Sequence, residues 1–152
     1  MQNNWLESRK NDRGSGIKVP KIVQETGKRK TSVARATLKP GTGVIRINSV
    51  PIERVEPALA RMKLQEIFLI VKDPKLSQIN INVNVTGGGK MGQIDAARIA
   101  ISRAVNKYLN KKKVTKAIKV YDKSMLSGDK RRVESKKWGG RKARARTQKS
   151  YR

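Results

Sequence analysis

Neither cysteine nor histidine occurs among the 152 residues. Without cysteine there are no disulfides, zinc–thiolate centres or thiol nucleophiles, and nothing points to an oxidising compartment. Without histidine there are no Ser-His-Asp triads and no imidazole metal sites. Long apolar runs are missing too. The longest unbroken one, Ile67-Phe68-Leu69-Ile70-Val71, falls far short of a bilayer span. The stretch Met1-Gln2-Asn3-Asn4-Trp5-Leu6-Glu7 lacks the apolar region of a signal peptide. No pair of carboxylates stands at a spacing that suggests acid–base catalysis. The expectation is a soluble, cytoplasmic protein that is not an enzyme and has no cofactor or metal.

Negative charge is also scarce: 11 acidic side chains face 37 basic ones, for a net charge of +26 and a pI near 11.1. An isolated chain of that balance repels itself. A polyanion relieves the repulsion, because Lys and Arg replace its condensed counterions. Nucleic acid is the first candidate, an anionic membrane surface the second and an acidic protein the third. The charge is unevenly placed, and residues 130–152 hold 11 basic side chains against 1 acidic. Hydrophobic residues make up 36% of the chain, enough for a core if they are concentrated in its middle.

Three stretches follow: a flexible arm over 1–20, a globular domain over 21–127 and an extended basic tail over 128–152. Residues 1–20 show no periodicity. Ile22-Val23 and Ser32 to Leu38 read as strand. Pro40-Gly41-Thr42-Gly43 is a turn signal, and Val44 to Ile47 alternates again, so a hairpin is expected there. Pro57 fits a first helical position. Ala60, Leu64, Ile67, Phe68 and Val71 then recur at helical spacing, ending at Asp73-Pro74. Ile79, Ile81, Val83 and Val85 alternate with polar residues as a strand. After Gly87-Gly88-Gly89, the positions Ile94, Ala97, Ile101, Ala104, Val105 and Tyr108 form one helical stripe, with Arg98, Arg103 and Lys107 off it. Lys111-Lys112-Lys113 closes that helix, and Ala117 to Leu126 suggests one more short packed piece.

Three motifs carry the chemistry. The tail has too few apolar residues to repay the entropy of ordering itself. It is either a disordered solubility tail or an arm laid along RNA phosphates, for which the arginine fork is suited. Trp138 and Tyr151 offer faces for unpaired bases; Trp138 could instead pack on the domain. The second motif, Gly87-Gly88-Gly89-Lys90-Met91-Gly92, matches the dinucleotide fingerprint G-x-G-x-x-G. Lys111-Lys112-Lys113 stands where that fingerprint needs an acidic residue, so nucleotide binding is disfavoured. The glycines serve either a close approach to a phosphodiester at a helix N-terminus or a plain strand-to-helix turn. The third, Gly27-Lys28-Arg29-Lys30-Thr31-Ser32, is a basic stretch leading into a strand, either a solvated charge run or a set of phosphate contacts.

In this order and spacing the segments resemble the ribosomal protein nine family of the small subunit. The likeness covers residues 21–152 and rests on Gly27 to Ala36, Gly43 to Asn48, Gly87 to Gln93, Tyr121 to Leu126, Arg131 to Lys137 and Gln148 to Arg152. The Lys-Ser-Tyr-Arg ending is similar to the archaeal and eukaryotic branch. Where most members have Gly after Asn48, this chain has Ser49, which is strained if the turn needs a positive φ. The resemblance implies an α+β domain, with a mostly antiparallel sheet of about four strands covered by helices and a left-handed βαβ crossover, the arrangement called S5 domain 2-like. It implies a place in the head of the small subunit among neighbouring head proteins, with no membrane and no homo-oligomer.

The basic clusters and the glycine loop are expected to contact ribosomal RNA through Lys28, Arg29, Lys30, Arg35, Gly87, Gly88, Gly89 and Lys90. The same contacts are expected of Arg131, Arg132, Lys136, Lys137, Arg141, Lys142, Arg144 and Arg146 in the tail. By position, the resemblance gives contacts to the peptidyl-site tRNA to Lys149, Tyr151 and Arg152. Two rivals from other classes are a DNA-compacting protein and a nucleotide-dependent enzyme built on the glycine loop.

Overall fold

The computed structural model describes residues 22–145 and 150. Five strands occur among them: β1 (Val23–Arg29), β2 (Ser32–Pro40), β3 (Ile45–Ile47), β4 (Val50–Pro51) and β5 (Ile79–Thr86). Helices are α1 (Ala58–Val71), α2 (Lys90–Leu109), α3 (Lys112–Tyr121) and α4 (Ser124–Ser127), with 3-10 turns at Ile52–Arg54 and Pro74–Gln78. The strands form one sheet in the order β1-β2-β5-β3-β4. Strand β5 runs antiparallel to β2 and parallel to β3, and the other two pairings are antiparallel. The fold is α+β with a mixed open sheet, consistent with the S5 domain 2-like arrangement; it has five strands where about four were expected. The parallel β3/β5 pair, bridged by α1, is the βαβ unit of that arrangement.

The hairpin expected between Ser32–Leu38 and Val44–Ile47 does not form. The alternation is there, but β5 lies between those two strands. Its backbone pairs with β2 over eight residues, from Val33↔Thr86 to Pro40↔Ile79. The turn at 40–43 is shaped by β5 rather than by β3: Asn80 Oδ1 accepts hydrogen bonds from Thr42 N at 2.9 Å and Val44 N at 3.1 Å. Gly41 N donates to Gln78 O at 2.8 Å. A central strand that buries Ile79, Ile81, Val83 and Val85 on one face gains more from two partners than a local hairpin offers.

The helices cover one face of the sheet. Ile94, Ala97, Ile101, Ala104 and Val105 of α2 are buried against Ala34, Ala36 and Leu38 of β2 and the aliphatic face of β5. Gly27 of β1 lies so close to α2 that a Cβ there would stand 2.2 Å from Ala96 O and 2.5 Å from Ala100 N. Ala60, Leu64 and Ile67 of α1 and Val114 and Ile118 of α3 complete the core. The packed piece expected over 117–126 is two helices, α3 and α4, in which Met125 is buried while Val120 is exposed. Helix α2 ends at Leu109 with Asn110 in the left-handed region, and Lys112 and Lys113 open α3 rather than closing α2.

Asn48 and Ser49 join β3 to β4 with φ of 46° and 70°. Both central residues of this two-residue turn are therefore left-handed, as a hairpin with type I′ geometry requires. Ser49 sits where glycine is the unstrained choice, as the sequence anticipated.

Candidate nucleic-acid interface

Local rules place the basic side chains. In β1, Val23 and Gly27 face the helices, so alternation turns Gln24, Thr26 and Lys28 to the opposite face. Arg29 points to the helix side. Its side chain is held by Asp95, at 3.9 Å, and by Asp129. Lys30 follows with φ of 53° at the tip of the β1–β2 hairpin, exposed. Arg35 is exposed on the outer face of β2. Of the hairpin cations, Lys28, Lys30 and Arg35 thus have no ion-pair partner among the described residues, while Arg29 is engaged inside the protein.

The glycine loop packs against that hairpin tip. Gly87 and Gly88 have φ of 75° and 69°; a Cβ on the first would sit 2.6 Å from Thr31 O, and on the second 2.1 Å from Ser32 Oγ. Two motifs some 55 residues apart are thereby brought together, and they line a depression with Lys30, Ser32, Gly88, Lys90, Gly92 and Asp95. Gly89 is the N-cap of α2 without a side-chain cap, and Gln93 Nε2 donates to Gly87 O at 3.2 Å. Close packing accounts for Gly87 and Gly88, whereas nothing lies within 4 Å of a Cβ at Gly89. Helix α2 is followed by α3 and α4 and no further strand among the described residues, so the loop is not part of a dinucleotide fold.

The segment after α4 leaves the domain beneath a set of arginine contacts. Arg103 Nε donates to Leu126 O at 2.7 Å, Nη2 to Ser127 O at 2.9 Å and Nη1 to Thr26 O at 2.8 Å. Asp129 is gripped by Arg29 and by Arg131, whose Nη2 is 2.7 Å away. The hydrogen bonds from the Arg131 side chain, then its backbone N–H, hold the Asp129 carboxyl at about 2, and the Arg29 charge adds to this. Residues 130–139 are exposed throughout. Glu134 draws Arg144 to 3.0 Å and Lys137 to 3.5 Å, so the segment turns back on itself near Gly139 and Gly140. Trp138 is fully exposed and packs on nothing in the domain. Arg132, Lys136, Arg141 and Lys142 are exposed and have no ion-pair partner among the described residues. Arg146, Lys149, Tyr151 and Arg152, and the arm over 1–20, lie outside the described residues.

The carboxylates explain why so many cations are free. Every described carboxylate except Glu53 and Glu56 is ion-paired within the chain. Arg98 joins Glu66 at 2.9 Å to Asp122 at 3.1 Å, and Lys107 holds Glu25 at 2.5 Å. Arg98, Arg103 and Lys107 of α2 are therefore engaged within the protein, whereas Lys90 at its start is not. Sequence reasoning missed Lys39 and Arg46, which share the helix-free face with Lys28 and Arg35. A further depression there is lined by Arg46, Ser49, Asn82, Val83 and Asn84. The alternating Asn80, Asn82 and Asn84 were visible as a strand pattern; that they form a polar face beside Arg46 depends on which strand pairs with which.

These features define a small basic α+β domain whose described carboxylates are mostly ion-paired and many of whose cations face solvent. The chain belongs to the family described as ribosomal protein S9/S16, whose model matches residues 27–152. This is a family of structural ribosomal proteins rather than enzymes. Small ribosomal subunit protein uS9 of the archaeon Desulfurococcus amylolyticus is 51% identical over 87% of this chain and 94% of that protein. The uS9 proteins of Methanothrix thermoacetophila and Halobacterium salinarum are each 47% identical, over 87% and 86% of this chain and 99% of their own lengths. No helix among the described residues is long and apolar enough to cross a membrane.

Proposed function

We propose that this chain is a constituent of the small ribosomal subunit head in the cytoplasm, held by ribosomal RNA and beside other head proteins, with its C-terminal tip at the peptidyl-site tRNA. The observation that carries this reading is the disposition of charge. Internal ion pairs consume most of the described carboxylates and leave Lys28, Lys30, Arg35, Lys90, Arg132, Lys136, Arg141 and Lys142 facing solvent without partners among the described residues. Such a surface is completed by a polyanion. The relatives are named as proteins of the small ribosomal subunit, which supports ribosomal RNA as that polyanion.

In this reading the globular part, residues 21–127, and the basic arm over 128–152 divide the work. The domain and the inner arm, through Arg131, Arg132, Lys136, Lys137, Arg141, Lys142, Arg144 and Arg146, neutralise phosphates so that RNA helices can approach one another. Lys149, Tyr151 and Arg152 add one or two charge-assisted bonds to tRNA, each worth about 1.5–3 kcal/mol gross. Sedimentation of a cell extract tests the assignment. The protein should travel with the small subunit and leave almost no free pool; a large free pool, or co-sedimentation with duplex DNA, overturns it.

A further inference from the structure

The face of the sheet turned away from the helices has a composition that burial does not explain. Its rows run across the strands in register. Gln24, Thr37, Asn82 and Arg46 form one row, and Thr26, Arg35 and Asn84 the next. Lys28 lies in the following row beside Val33 and Thr86, and Lys39 beside Asn80 at the other end. The strands carry a single carboxylate, Glu25, and it points to the helix side, where Lys107 holds it. Lys28, Arg35, Lys39 and Arg46 therefore stand together with no acid among them. Among the described residues, the side chains of Asn82 and Asn84 have no hydrogen-bond partner, although their neighbour Asn80 is used to shape a turn.

We propose that this helix-free face is a second RNA surface, separate from the hairpin tip and the arm, and that it docks on the minor groove of double-helical ribosomal RNA. The proposal rests on the RNA-binding reading above and says which form of RNA this face takes. Charge complementarity selects a polyanion over an apolar protein surface. The face has no aromatic side chain, so it offers no stacking platform to unpaired bases. Guanidinium and amide groups, about 14 Å apart from β1 to β3 across three interstrand steps, suit the backbone and 2′-hydroxyls that the wide, shallow minor groove of A-form RNA displays. Arg35 and Arg46 reach phosphates, while Asn82 and Asn84, which can both donate and accept, meet 2′-hydroxyls.

The lack of cysteine makes the test direct, because any introduced thiol is unique. Gln24→Cys and Thr86→Cys place an iron-chelate cleavage probe at two ends of the face, and Lys136→Cys places one on the arm. After assembly into small subunits, the sheet-face probes should cut both strands of one RNA helix, offset across its minor groove. Cuts from Lys136→Cys with none from the sheet face, or sheet-face cuts confined to an unpaired loop, overturn the inference and leave the RNA-binding reading standing. Absence of cuts from all three positions overturns that reading itself. As a second measurement, Arg35→Ala combined with Arg46→Ala in the full chain should reduce the slope of log affinity for head-region RNA against log salt by about 2. An unchanged slope overturns the inference.

Discussion

Asn48 holds both polar groups of the Val85 backbone: its Oδ1 accepts from Val85 N at 2.7 Å and its Nδ2 donates to Val85 O at 3.1 Å. Strand β3 ends at Ile47, so the amide side chain takes over where the backbone ladder to β5 stops. Asn48→Ala would leave a part-buried N–H and C=O without partners. We expect a loss of about 1–3 kcal/mol, read as a lower urea midpoint at unchanged m-value.

Ser49 carries the opposite kind of opportunity. Its φ of 70° costs an L-residue roughly 1–2 kcal/mol, and glycine escapes that cost while losing about 0.5–1 kcal/mol in chain entropy. Ser49→Gly should therefore stabilise the protein by about 0.5–1 kcal/mol. Thermal unfolding would show it as a small rise in Tm.

Two glycines should respond in opposite ways to a methyl group. Gly27→Ala forces a Cβ into the backbone of α2, where neither Ala96 nor Ala100 can swing aside. A cost of about 1–3 kcal/mol or more is expected. Gly89→Ala meets nothing within 4 Å and should leave the unfolding midpoint nearly unchanged. Parallel denaturation of the two variants checks the pair.

Asp129 gives the protein an acid-sensitive joint. Its carboxyl is held at about 2, below the ordinary value of 3.8, first by the side-chain bond from Arg131. A carboxylate with a depressed folded-state pKa stabilises the fold above its unfolded value. That contribution is lost as pH falls through the folded one. Wild type should therefore exceed Asp129→Asn in stability at neutral pH, and the two should converge between about pH 4 and pH 2. A gap that persists unchanged below pH 2 would contradict the assignment.

Deleting Lys149 through Arg152 probes the tip alone. Small subunits should still assemble, because the domain and inner arm remain, while peptidyl-site tRNA should dissociate faster by roughly tenfold for each charge-assisted bond lost. Unchanged tRNA off-rates would exclude the tip from that role.

The legible parts of the fold were those with a local cause. The apolar spacing from Ala60 to Val71 and from Ile94 to Tyr108 gave α1 and α2, and the alternation of Ile79 to Val85 gave β5. The order of strands was not legible. Val44 to Ile47 has the alternation of a hairpin partner for β2, and only the claim of β5 on both neighbours separates them. Side-chain direction was also hidden at one candidate contact, since Lys28 and Arg29 read as equivalent cations in sequence. Strand alternation sends the first to solvent and the second to Asp95 and Asp129.

Composition and local periodicity alone determined that this chain carries a large uncompensated positive charge, that it has no thiol or imidazole chemistry, and where its helices and its central strand lie. Those properties depend on how many charges there are and on neighbours three or four residues away. Tertiary structure decided which cations are free and which are consumed, and it joined Thr31 and Ser32 to Gly87 and Gly88. It also gathered Lys28, Arg35, Lys39 and Arg46 on one face. Long-range pairing sets those outcomes, because a charge's partner is chosen by distance in space and the sequence records only distance along the chain.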